Sequence, residues 1–257
     1  MNLPIVKFTV QTLLKQPIVA VVFLIELVIV AIIFSAGITL NENQIVEINI
    51  WGFTFDEPFL IKEIASNTLN MLCFIISFLA ILISTRFFYE FINDSILEII
   101  LPKLQNKKDL LLSSFWGLSL FLIISLSSLL VITIVFFAIK YNLFLYTKLS
   151  IAALYLLLSV FYIVSLSALV TQLFDGFTAS IILIIPLLFG KMFINMLGDE
   201  KIISKIFTAL FPLSYLNGEA IQASLGDFSF SVLPIPIFLL NLLFIWLAIT
   251  IFARKRQ

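Results

Sequence analysis

Long apolar runs broken by short polar stretches set the pattern of this chain. A helix needs about 20 apolar residues to cross roughly 30 Å of hydrocarbon. Six stretches meet that length, Pro17–Leu40, Ser66–Ser84, Leu110–Ala138, Leu149–Thr171, Phe177–Leu197 and Val232–Phe252. The third is longer than a crossing needs, which predicts tilt or extension past the bilayer. Pro186 predicts a kink in the fifth. The expected fold is an all-α integral membrane protein, a single transmembrane domain over residues 1–257 with six transmembrane helices.

The stretches between the spans carry their own periodicity. In NLPIVKFTVQTLLKQ, from Asn2 to Gln16, Lys7, Gln11 and Lys15 recur every fourth residue and leave one polar stripe on a helix. Such a segment reads as an N-terminal interfacial helix, or else as the frayed start of the first span. Residues 41–65 carry Glu42, Glu47, Asp56, Glu57 and Glu63 and read as an acidic loop too short for a folded domain. Before the last span, Ile202, Ile203, Ile206, Phe207 and Leu210 fall at helical spacing behind Asp199, a candidate cap, and Pro212 ends the pattern. GEAIQASLGD then reads as a second short helix. Both pieces either lie in the headgroups or dip back between the spans.

Composition agrees with a membrane class. The chain is 62% hydrophobic and 12% charged, against about half apolar and a quarter charged in soluble domains. Its net charge is zero, so no basic bulk draws it to nucleic acid. It contains no histidine, which removes imidazole metal sites and Ser-His-Asp triads. The single Cys73 lies in an apolar run and reads as a packing residue. An even number of spans puts both termini on one side. With the N-terminus inside, nine Lys and Arg residues fall in cytoplasmic segments and five in outer ones. That bias predicts a multi-pass protein of the cell (inner) membrane with cytoplasmic N- and C-termini, anchored by Arg254-Lys255-Arg256.

The link between the second and third spans is different from the rest. SILEIILPKLQNKKDLLLSSF, Ser95 to Phe115, holds two acids, three lysines and a proline. Just upstream, Arg86, Glu90, Asp94 and Glu98 fall four apart on one helical face, so the second span is expected to continue into the cytoplasm until Pro102. Asn106 and Asp109 are placed to cap the third span. The plain reading is a solvated hairpin. The stretch also resembles the cytoplasmic signature of type-2 ABC-transporter permeases, G-T-L-E-x-L-L-S-x-P-x-S-R-x-x-L-L-x-x-K. Glu98 after Leu97, the aliphatic residues Ile99-Ile100-Leu101 and the basic pair Lys107-Lys108 match without a gap. Ser95 stands for the usual glycine, Pro102 comes two places early, and Ser114 replaces a common lysine.

That resemblance implies a six-span permease with an N-terminal interfacial helix, a cytoplasmic coupling helix and short outer helices before the last span. It assigns coupling to a separate ATPase subunit to Leu97, Glu98, Ile100, Leu101, Lys103 and Lys107. The implied activity is export of an amphipathic or hydrophobic substrate, with a second permease copy or a homologous permease as partner. ATP and magnesium would sit on the ATPase subunit and no cofactor on this chain. The residues agree with this last point, since the one Gly-Lys pair, Gly190-Lys191, lies in a span and lacks the rest of a phosphate-binding loop.

One acid, Glu26, falls well inside a span, where a carboxylate is costly and marks a possible functional group. Lys191 lies nearer the end of its span and can snorkel. The serines of the third and fourth spans, among them Ser119, Ser125, Ser159, Ser165 and Ser167, are expected to let helices approach and hydrogen-bond. Two other classes remain, a secondary transporter and a non-transporting membrane scaffold. The first would call for paired broken helices and several embedded ionisable groups. Cysteines introduced at Glu57 and Asp227 should label from outside intact cells, whereas one at Lys107 should not. Labelling at Lys107 would reverse the topology.

Overall fold

The spans do not stop where their apolar runs stop. A computed structural model describes residues 3–15, 17, 19–21, 24, 25, 27, 28, 31, 37–40, 45–50, 53–93, 107–141, 149–197, 206, 208, 212–225 and 234–255. Its elements are α1 (Leu3–Lys15), β1 (Gly37–Leu40), β2 (Ile45–Ile50), β3 (Phe53–Leu60), α2 (Ile61–Asn93), α3 (Lys107–Tyr141), α4 (Leu149–Val170), α5 (Gly176–Leu197), α6 (Leu213–Leu225) and α7 (Pro234–Lys255). Among the described residues four helices, α2, α3, α4 and α7, are long and apolar enough to cross a membrane. The chain is a multi-pass membrane protein.

Helix α2 has 33 residues and α3 has 35. At 1.5 Å per residue each is about 50 Å long, well beyond the roughly 30 Å of hydrocarbon. The expected spans at 66–84 and 110–138 are therefore the inner parts of longer helices. Charged ends do not stop a helix once it leaves the hydrocarbon, because Lys, Glu and Arg are good helix formers in water. The Arg86 Nε–H donates to Glu90 Oε1 over 2.7 Å, the first pair of the four-residue ladder expected on that face.

Contacts sort the elements into two ends. Ile5 of α1 packs with Leu110 of α3 and Phe91 of α2, and the Phe91 ring stacks on Phe252 of α7. The α4–α5 turn joins them, since a Cβ at Gly176 would stand 3.0 Å from Tyr89 of α2. Asp175 caps α5 by accepting the Thr178 N–H at 2.6 Å, which holds its carboxyl below the usual range. The described parts of α1 and the C-terminal turn of α7 thus share one end of the bundle. Pro186 sits inside α5 without ending it.

The sheet occupies the other end, where β3 runs straight into α2. Strands pair antiparallel in the order β1-β2-β3. The register lines up Leu40, Val46 and Phe59 in one row, Ile38, Ile48 and Phe55 in the next, and Ile50 with Phe53. The alternate rows hold Ile45 with Leu60, Thr39 with Glu47, and Gly37, Asn49 and Thr54. An irregularity in β3 lies between Phe55 and Phe59.

These strands correct two expectations. Residues 45–50 and 53–60 are strands and 61–65 begin α2, where a loop was expected over 41–65, and the run expected to form the first span is strand at Gly37–Leu40. The apolar run simply continues from span into strand, so hydropathy alone hides the boundary. The period-two order of Val46, Ile48 and Ile50 against Glu47 and Asn49 carries the strand signal.

Helix α1 shows the predicted two faces. Val6, Thr9 and Leu13 are buried, while Lys7, Gln11 and Lys15 are exposed. It docks on α3 at Gly117, where an added Cβ would stand 2.8 Å from Thr9 Cβ and 3.1 Å from the Val6 carbonyl oxygen. Gly117→Ala should therefore lower the thermal midpoint of the detergent-solubilised protein, by about 1–3 kcal/mol of overpacking. Adding Thr9→Gly should restore part of it. An unchanged midpoint would mean that α1 is not held at this contact.

Candidate functional site: a polar seam around a short buried helix

Most of the site expected from sequence lies outside the described residues. This holds for Leu97, Glu98, Ile100, Leu101 and Lys103 of the link and for Glu26. Lys107 is the first residue of α3. Lys191 falls within α5.

The described polar chemistry gathers around α6. Pro212 starts this helix rather than only ending the one before it, with its carbonyl accepting the Leu216 N–H at 2.8 Å. Leu213, Leu216, Asn217, Ala220 and Ile221 repeat at three- and four-residue spacing, and all five are buried. Their neighbours fix the depth of the helix. Leu213 meets Ile81, Leu166 and Leu183, whereas Leu216 and Ala220 pack with Tyr155, Ile237 and Ile151. Along α6 the contacts on α4 thus step back from Leu166 toward Ile151. The helix begins level with the middle of α2 and α4 and runs toward the sheet end of the bundle.

One amide ties α6 to two spans. Ser159 Oγ of α4 donates to Asn217 Oδ1 at 3.1 Å, and Asn217 Nδ2 donates to Ser77 Oγ of α2 at 2.9 Å. All three residues are buried. Tyr215 and Glu219 of α6 lie close to Tyr155 of α4. The Glu219 Oε2 is buried without a hydrogen-bond partner among the described residues.

Similar links join the other helices. Thr85 and Ser180 hydroxyls lie 2.6 Å apart between α2 and α5. Ser165 Oγ of α4 donates to Asn241 Oδ1 of α7 at 3.5 Å. Gln172 Nε2 donates to the Ala168 and Ala248 carbonyls, both at 2.9 Å, and so clamps the end of α4 to α7. The serines of the fourth span act as expected at Ser159 and Ser165. Ser119 and Ser167 are buried with no hydrogen-bond partner among the described residues, and there a small side chain serves close packing alone.

Beside the start of α6 lies a small apolar gap of about 10 Å³, bounded by Ile81, Tyr162, Leu183, Pro186, Leu187 and Leu213. Among the described residues no group of three His, Cys, Asp or Glu side chains is placed to hold a metal. The arrangement positions helices and presents an apolar space beside a polar seam. No protein family, characterised protein or solved structure matches the chain.

Sequence reasoning missed Asn217, Ser77 and Glu219. The signal was present in Leu213-x-x-Leu216-Asn217-x-x-Ala220-Ile221, which puts an amide on the apolar face of a short helix. Cross-helix hydrogen bonds in membranes are worth about 0.6 kcal/mol on average and up to about 1.7. A double-mutant cycle between Asn217→Ala and Ser77→Ala, read by unfolding in mixed micelles, should return a coupling in that range. A coupling of zero would remove Asn217 as the tie between α6 and α2.

Proposed function

We propose that this chain is the transmembrane subunit of an ATP-binding-cassette transporter. In this reading it exports an amphipathic or hydrophobic substrate and is driven by a separate ATPase subunit through the link 95–108. The observation that supports it best is how the link is carried. It hangs between two helices of about 50 Å, α2 ending at Asn93 and α3 starting at Lys107. Both reach the end of the bundle where α1 and the last turn of α7 also gather. A push delivered to such a link reaches the membrane interior as a rigid-body movement of α2 and α3.

Chain parity supports six crossings. Helix α1 is docked at one end and the sheet joins α2 at the other, so the residues between Lys15 and Gly37 connect the two ends. Of the described residues in that stretch, Val19 is buried in the core while Leu24 and Leu27 are exposed. Helices α2, α3, α4, α5 and α7 complete the six. The excess of Lys and Arg at the α1 end supports a cytoplasmic side there, where an ATPase partner would dock.

In this scheme Leu97, Ile100 and Leu101 offer an apolar face to the ATPase subunit, with Glu98, Lys103 and Lys107 at its charged rim. The nucleotide and magnesium belong to that partner. Movement of α2 reaches α6 through Ser77 and Asn217, next to the apolar gap. That gap is apolar but too small to hold a substrate, so a substrate path would have to form against a second permease copy.

Replacing Leu101 with Asp would bury an unpaired charge at the contact. The variant should insert at normal abundance, yet lose copurification with the ATPase and lose transport. Lys108→Gln should change either one far less. Normal copurification and transport in the Leu101→Asp protein would reduce the link to a solvated hairpin.

A further inference from the structure

Helix α1 turns a basic stripe away from the protein that holds it. Val6, Thr9 and Leu13 are buried, whereas Lys7, Gln11 and Lys15, four residues apart on the opposite side, are all exposed. Apolar residues flank that stripe, Leu3 and Leu14 on one side and Phe8 on the other, each more than half exposed. The helix contains no Asp or Glu. Among the described residues neither of its lysines is paired with a carboxylate.

The contacts of α1 set its level in the bundle. Ile5 packs with Phe91 of α2 and Leu110 of α3. Each of these two follows an exposed acid, Glu90 in its ion pair with Arg86, and Asp109 in the first turn of α3. Thr9 meets Gly117, which stands about 15 Å along α3 from Lys107. Helix α1 therefore lies where the charged ends of α2 and α3 give way to their apolar middles. Its inner face is taken by α3, so the stripe meets what surrounds the bundle at that level, the headgroup layer of the bilayer.

We propose that the stripe of Lys7, Gln11 and Lys15 binds the phosphates of anionic phospholipids in the leaflet at this end of the bundle. Lysine stems, with Leu3, Phe8 and Leu14, lie on acyl chains while the amines reach the phosphates. The two amines are carried about 12 Å apart along the axis, so each takes its own headgroup. An unattached interfacial helix holds the membrane by its apolar face. Here that face is occupied by protein, and the choice of lipid rests on charge. It favours phosphatidylglycerol over phosphatidylcholine and weakens with salt. The inference needs the chain to span a membrane and is independent of the transport reading.

The test uses the full-length chain in phosphatidylcholine nanodiscs, with Cys73→Ala and a bimane fluorophore attached at Gln11→Cys. A minor share of nitroxide-bearing lipid, either phosphatidylglycerol or phosphatidylcholine, quenches the dye in proportion to its presence beside α1. At low salt, half-quenching by phosphatidylglycerol should need a severalfold lower mole fraction. Lys7→Gln together with Lys15→Gln should abolish the difference, as should about 1 M salt. Arginine at both positions should keep it, and so should Arg254→Gln on α7. Both lysines are exposed, so the unfolding midpoint should not move. Equal quenching by the two lipids at low salt would overturn the proposal. So would a preference that survives the double Gln exchange, which would assign it to the charge of the whole end. Quenching by neither lipid would mean that a second copy or another protein covers the stripe, and would overturn it as well.

Discussion

A short helix that begins inside an apolar helix bundle has to satisfy its polar groups within protein. That requirement governs the surroundings of α6. Its first turn is received by Pro212, which has no N–H of its own to satisfy. Its one buried amide finds a donor on α4 and an acceptor on α2. The small hydroxyl residues of the neighbouring spans follow from the same need. Ser77, Ser159, Thr85 and Ser180 offer hydrogen bonds while leaving room for close helix packing. The apolar lining of the gap beside α6 takes over where those partners end.

The spans were readable because hydropathy is a long-range signal, averaged over some twenty residues. Their ends were not. Arg86 and Lys108 look like boundaries in an apolar profile but are ordinary exposed helix positions on α2 and α3. The amphipathic α1 was legible from Lys7, Gln11 and Lys15, because three polar residues at one spacing define a face without any tertiary knowledge. The sheet escaped because Gly37–Leu40 extends an apolar run already assigned to a span. Only the pairing of Ile38 with Ile48, a long-range fact, makes it a strand.

The seam around α6 was half legible. Short helices before the last span were expected, and a dip into the membrane was one of the two open placements. The partners were invisible, because Ser77 and Asn217 are 140 residues apart and no local pattern couples them. The link residues from Leu97 to Lys103 rest on their pattern and their resemblance, and Asn93 and Lys107 mark where the two long helices present them.

The turn between α4 and α5 has a mechanical consequence. Backbone hydrogen bonds from Thr171 to Phe174 close it, the Asp175 cap locks the start of α5, and Gly176 sits against Tyr89 with no room to slide. Helix α5 is therefore held firmly at one end, and any rotation about that pivot would move its far end most. Over its 22 residues, about 33 Å, a swing of roughly 5° displaces the free end by about 3 Å while barely disturbing the pinned one. The pivot stands at the α1 end of the bundle, so the amplitude of any such swing grows toward the end that holds the sheet and the outward turn of α6.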